Sequence, residues 1–400
     1  MKMMSLWALG AVAMGGLGIA SAPGCTTDVL VGVKDDAGGP ATEGGHTDDG
    51  GTPTPPGDTA PGDTTKGDGA SSTCASTEGI VLATSPTGTS AAFPTPGFLG
   101  IAVDAASVYW SYAPWSTPSS SGGTGPGAIM KVSKGGGAPV SLATTHDGVF
   151  FFVVAGGHVY WEDDGFLKME ATSGGTPQSL NYDHIGTGTL VADGTDLYSF
   201  GYWGDVDSIS IQSEPLGSGT LTNVMDKGAL PLWPAEIMNL AVDADDVYWV
   251  GWLGLGSTGI PPVTQQGLWY VPKAGGTAQL LAAYEIQDPS VVGGLNVQPH
   301  VVADATGVYW NSPTGLMRMP SVGAAPKTLV PGTFPSFGNS IYGLAVDGTS
   351  LYWLGAGIQR VPIGGGATTT LVHEDAVAFA VDDAFVYWIN ECGQIKKIAK

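Results

Sequence analysis

Basic residues are scarce in this 400-residue chain: 14 Lys and Arg stand against 36 Asp and Glu, a formal net charge of −22. Nucleic-acid binding needs a basic patch that displaces counterions from phosphates, and anionic lipid surfaces make the same demand. Neither partner fits this balance. Only three cysteines occur, which excludes a disulfide-dense scaffold, and no Cys-x-x-Cys pair is present. The apolar run from Leu6 to Ala20 is too short and too glycine-rich for a good membrane span. Also missing are a His-Glu-x-x-His zinc motif, a Gly-x-Ser-x-Gly elbow and a phosphate loop ending in Gly-Lys-Ser/Thr. Gly254, Gly256 and Gly259 match a dinucleotide fingerprint in spacing only, because they lie between strand-like runs with no helix following. Sixty-three glycines and 28 prolines argue against long helices.

What the chain does contain is a phrase: an aspartate, four residues, then Tyr and usually Trp. It runs Asp104 to Tyr109-Trp110, Asp193 to Tyr198, Asp243 to Tyr248-Trp249, and Asp304 to Tyr309-Trp310. It returns at Asp347 to Tyr352-Trp353 and Asp382 to Tyr387-Trp388, while Tyr160-Trp161 has Ala155 at the aspartate position. Each copy sits among short apolar and aromatic runs separated by glycine turns. In the sixth unit these are Leu344-Ala345-Val346, Leu351-Tyr352-Trp353, Gly357 to Val361 and Thr369 to Val372, with Gly364-Gly365-Gly366 before the last. β-Branched and aromatic residues suit a pleated, packed surface, and glycine suits the turns. Four strands recurring about every 35–60 residues predict an all-β fold, a β-propeller with four-stranded blades.

Seven blades are expected, with six as the alternative, because units 2 and 3 depart most from the pattern. The last unit has three strands, Val377 to Val381, Phe385 to Ile389 and Gln394 to Ala399, and then the chain stops. Gly79 to Ala83 resembles the missing fourth. An N-terminal strand completing the C-terminal blade would close the ring and cover its edges.

The repeated residues read as structural. Val108 and Trp110 share one face of a strand and Tyr109 takes the other, so both faces need cover from neighbouring blades. The aspartate is expected to organise the a–b turn by accepting nearby backbone amides. These units resemble YWTD and NHL propellers, where an apolar-Tyr-Trp or apolar-Tyr-Val strand follows an Asp-containing turn. The resemblance covers residues 79–400 and implies fold. It does not transfer a receptor role, because Ser111, Glu162, Val250, Asn311, Leu354 and Ile389 stand where YWTD modules begin Thr-Asp. Together with the leader described next, the units also resemble secreted lipoproteins of myxobacterial type.

Residues 1–24 read as a signal peptide, and Ala22-Pro23-Gly24-Cys25 resembles a bacterial lipobox with Ala22 in place of the usual Leu. Cys25 is therefore the expected lipid attachment site, where several acyl chains would hold a protein at a membrane. Thr26 carries no acidic retention cue, so the expected location is the outer membrane or cell surface, with secretion or the periplasm as alternatives. Residues 25–78 form an acidic Gly/Pro/Thr/Asp linker with few apolar side chains, expected to be disordered and to reach roughly 40 Å. Residues 79–400 form the propeller. Cys74 and Cys392 remain as a candidate disulfide, with one objection: Cys74 should lie near a c–d turn and Cys392 in a b–c turn at the opposite edge.

One face collects chemistry-bearing residues. His146, His184 and His373 each precede their unit's aspartate position by nine residues, and His300 precedes its strand more closely. The longest b–c loops display Tyr112 with Trp115, Tyr202 with Trp203, and Trp252. These nine residues form the candidate ligand-binding face. Glu162-Asp163-Asp164-Gly165 reads as an acidic hairpin turn, with calcium binding as the sharper reading. No catalytic residue, metal ligand set or cofactor is assigned. The expected function is a surface-displayed, lipid-tethered, non-catalytic binding or scaffold module, monomeric, taking a glycan, peptide or protein and no nucleic acid. The alternative is a metal-dependent hydrolase or lactonase with its site in the central channel.

Overall fold

The repeated phrase forms the inner hairpin of each blade. The computed structural model describes residues 76–85, 97–113, 127–146, 149, 151–163, 166–181, 185–202, 209–225, 237–253, 265–285, 300–332, 343–390 and 392–400. Blade 1 is an antiparallel meander of strands a (Gly97–Val103), b (Ser107–Ala113), c (Gly127–Ser133) and d (Val140–Thr145). The same order recurs in residues 152–181, 185–223, 237–285, 301–331 and 344–372, making blades 2 to 6. Blade 7 takes strands a (Ala376–Val381), b (Phe385–Asn390) and c (Gln394–Ala399) from the C-terminus and Ile80–Thr84 as strand d. Strand a of each blade lies beside those of its two neighbours, and blade 1 meets blade 7. The fold is a closed seven-bladed β-propeller, and both divergent units belong to the ring.

The Tyr-Trp pair joins blades as the alternation requires. Trp110 packs against Ala378, Tyr387 and Ile389 of blade 7, while Tyr109 joins the blade 2 cluster around Val153 and Tyr160. Trp110, Trp161, Trp249, Trp310 and Trp388 are fully buried. Each aromatic of this size removes roughly 150–250 Å² from water, roughly 4–6 kcal/mol of transfer free energy before ordering costs.

The aspartate does more than cap a turn. Asp104 Oδ1 accepts the amides of Ala106 and Ser107, both at 2.7 Å, and Oδ2 accepts the Tyr109 hydroxyl at 2.7 Å. Asp193, Asp243, Asp347 and Asp382 repeat all three bonds. The five-residue interval is thus set by one carboxylate spanning its own turn and the tyrosine on the returning strand. In blade 5 Asp304 holds the Thr306 amide and hydroxyl, and Tyr309 bonds Thr306 instead. In blade 2 Ala155 offers no acceptor, Gly156 and Gly157 make the turn with positive φ, and the buried Tyr160 hydroxyl has no partner among the described residues.

Cations cross the seams between blades. Lys134 of blade 1 reaches Asp382 of blade 7, and Lys273 of blade 4 reaches Asp193 of blade 3, each at 2.5 Å. Lys400 of blade 7 pairs with Asp347 of blade 6. Each ammonium lies over the tyrosine ring of the blade it contacts. Blades 2, 3, 5 and 6 lack this lysine, and at blades 2 and 6 the preceding blade reaches forward: Lys131 bonds the Thr172 carbonyl and Arg318 the Ile363 carbonyl. At the seam between blades 2 and 3 no cation enters among the described residues, and Glu170 and Glu214 are buried where blades 1 and 4 place Val132 and Val271.

Closure also involves residues before strand d of blade 7. Strand d pairs antiparallel with strand c, Ile80 opposite Lys397 and Thr84 opposite Gln394. Gly79, at φ 71°, then turns the chain out of this sheet, and a Cβ there would stand 2.3 Å from Trp388 Cη2 and 2.8 Å from the Lys397 carbonyl. Glu78 consequently accepts the amides of His373 and Glu374, in the connection between blades 6 and 7. Cys74, expected near a c–d turn, lies outside the described residues; the described lead-in, residues 76–79, runs to the connection between blades 6 and 7.

Candidate functional site

Connections between blades and b–c turns share one end of the ring, and the expected ligand face lies there. Tyr112 ends strand b of blade 1, half-buried, opposite Ala128. Tyr202 and Trp252 close strands b of blades 3 and 4, opposite Ile209 and Gln266, with side chains outside the described set. Trp115, Trp203 and His184 lie outside the described residues, as do Cys25 and Cys74. The structure thus places three of the nine on strand b at this end and shows nothing of their convergence.

The three described histidines of the expected ligand face have different surroundings. The His146 amide donates to Asp163 Oδ1 at 2.8 Å, tying the entry of blade 2 to its own b–c turn. His373 is exposed, with Nδ1 2.9 Å from Glu78 Oε1. Burial of the Glu78 carboxyl, which acts upward, is outweighed by His373 and the two amide donors, so its pKa lies below the ordinary value. His300 is fully buried, and burial lowers its imidazole to about 4, leaving it neutral at pH 7.

His300 belongs to a polar group on the inner strands that sequence reasoning passed over. Its amide donates to Asn311 Oδ1 at 2.6 Å, and the Asn311 amide returns a bond to the His300 carbonyl. Asn239, on strand a of blade 4, accepts the Val301 amide of blade 5 at 3.0 Å. Asn239 supplies a partner that strand a of blade 5 lacks on its channel edge, while Asn311 bonds the His300 amide from strand b of the same blade. The signal was present: Asn311 follows Trp310 where other units have Val250, Leu354 and Ile389, and Asn239 interrupts an apolar strand. His300 Nδ1 has no partner in the described structure.

Glu162 is perturbed as well. Burial alone pushes its carboxyl up to about 7. It adjoins Asp163, which holds the His146 amide, while Asp164 and Gly165 of the same turn lie outside the described residues. Among the described residues no three His, Cys, Asp or Glu side chains gather as a metal site would require.

No protein-family model matches this sequence, and no curated protein matches it. Solved structures similar to it include the computationally designed Ika8 protein, 14% identical, covering 76% of this chain and 84% of that one, with a TM-score of 0.48. BamB from Moraxella catarrhalis is 12% identical over 73% of this chain and 82% of its own, TM-score 0.43. TolB from Acinetobacter baumannii is 10% identical over 66% and 63%, TM-score 0.40. Likeness at this level transfers no function.

Proposed function

We propose that this propeller is a non-catalytic binding or scaffold module, tethered through lipid on Cys25 and displayed at a bacterial outer membrane or cell surface. The observation that carries this reading is the use made of charge. Lys134, Lys273 and Lys400 hold turn aspartates of neighbouring blades, and Lys131, Arg318 and Lys327 hold neighbouring carbonyls. Side chains of these types, where an enzyme would aim them at substrate, here lock blade to blade. Recognition then falls to the b–c turns and blade connections, which diverge between units while the Asp-to-Tyr hairpin repeats. The YWTD/NHL resemblance supports the ring, and the myxobacterial lipoprotein resemblance supports its export.

Glycan and peptide arrays on the purified ring test the binding half. The expected result is a ligand whose capture falls at least tenfold in a variant carrying Tyr112→Ala, Trp115→Ala, Trp203→Ala and Trp252→Ala, with thermal stability retained. Metal-dependent ester or lactone hydrolysis by the same preparation would overturn it in favour of the channel enzyme. Cys25→Ser tests the tether separately and should move the protein from the membrane fraction to the soluble one.

A further inference from the structure

The seam between blades 6 and 7 is where the N-terminal polypeptide joins the ring, and its contacts are specific. The Ser76 carbonyl accepts a bond from Lys396 Nζ at 3.3 Å. That ammonium is fully buried and also pairs with Glu374 at 2.6 Å, a carboxylate that receives the Trp388 indole N–H as well. Two residues on, Glu78 holds the His373 and Glu374 amides. The turn at Gly79 makes this course necessary, since a chain continuing straight from Ile80 would run away from the blade connection.

Cys392 lies on this same end of the ring, in the b–c turn of blade 7, where Asn390 Oδ1 accepts its amide. It is disulfide-bonded. The chain has three cysteines, so an internal partner is Cys25 or Cys74. Cys74 is two residues from Ser76, whose carbonyl is already fixed beside strand c of blade 7. Cys25 is separated from Ser76 by fifty residues of sequence.

We propose that Cys392 is bridged to Cys74, so that the polypeptide preceding the ring leaves it at the b–c turn of blade 7, on the end carrying the blade connections. Forming the bridge takes two protons and two electrons from the two thiols. A disulfide-type oxidant of an oxidising compartment accepts them and becomes a dithiol. The bridge fastens the lead-in over the buried Lys396–Glu374 pair. The end formed by a–b and c–d turns then points away from the attachment. This holds whether or not Cys25 carries lipid, so its failure and that of the tether are separable.

Peptide mapping of the full exported chain, alkylated without reduction, tests the pairing. The expected result is a linked Cys74–Cys392 peptide from a protein of monomer mass. A Cys25–Cys392 link, a bridge between two chains, or alkylated Cys74 and Cys392 would overturn it. Cys74→Ser and Cys392→Ser should each lower Tm by about 5–10 °C, and the double variant by no more than either. Additive losses in the double variant would also count against a shared bond.

Discussion

Lys134 and Asp382 lie 248 positions apart in sequence and 2.5 Å apart in space, blade 1 donating to the a–b turn of blade 7. The same carboxylate holds two turn amides and the Tyr387 hydroxyl, so one side chain ties turn, hairpin and seam together. Asp382→Ala strands all of these donors and is expected to cost about 2–4 kcal/mol by urea denaturation. The lysine's own share is smaller, because both partners keep some access to water. A double-mutant cycle with Lys134→Met and Asp382→Asn should give a coupling of about 1 kcal/mol. A coupling near zero would remove the cation from the account of the seam.

Acid should loosen the ring through these carboxylates. In Asp193, Asp347 and Asp382 burial acts upward but is outweighed by the lysine and the hydroxyl and amide donors, so their pKa values lie below the ordinary range. A folded-state pKa below the unfolded one means stabilisation fully present above the unfolded value of about 4. It is lost as pH falls through the folded value. Thermal midpoints are expected to drop steeply below about pH 4, and Asp347→Asn should flatten that limb. An unchanged acid limb in the variant would show that other groups drive the loss.

The ring was legible because its evidence is periodic. Seven Tyr-containing hairpins and a spare strand before the first unit required only pattern and closure. The Lys134, Lys273 and Lys400 seams were less legible, although each lysine stands two residues past an apolar strand c position, Val132, Val271 or Ile398. Nothing in a single unit states which neighbour that lysine will meet. For the candidate site, the shared nine-residue offset placed His146 and His373 at the same level of the ring. It could not reveal that one amide meets Asp163 of its own blade and the other Glu78 from the N-terminal segment. His300 sits closer to its strand, and those few residues put it inside the wall.

Gly79 is a test of closure. Alanine there must adopt φ 71° and push against the Trp388 ring and the Lys397 carbonyl, which is backbone and cannot swing away. Gly79→Ala is expected to destabilise by about 2 kcal/mol or more and to expose the lead-in to protease before the ring unfolds. Equal protease resistance in the two proteins would mean that residues 76–78 are not held as their hydrogen bonds indicate.

Glu162 should behave in the opposite way to the seam aspartates. Its carboxyl is raised to about 7 by burial, with no compensating cation among the described residues. A carboxyl that binds its proton more tightly in the folded state weakens folding as pH rises from about 4.5 to 7, and the penalty stays constant above that. Glu162→Gln keeps the shape and removes the titration. It is expected to gain about 2–3 kcal/mol at pH 8 and nothing at pH 4, read from denaturation curves at both. A gain of equal size at both values would assign the effect to packing rather than charge. A loss at pH 8 would show that the carboxylate is held there by a bound group. A chain that keeps a penalised acid at the loop-bearing end, one residue from the Asp163 that fixes the blade 2 entry, has reason to be examined there for its ligand.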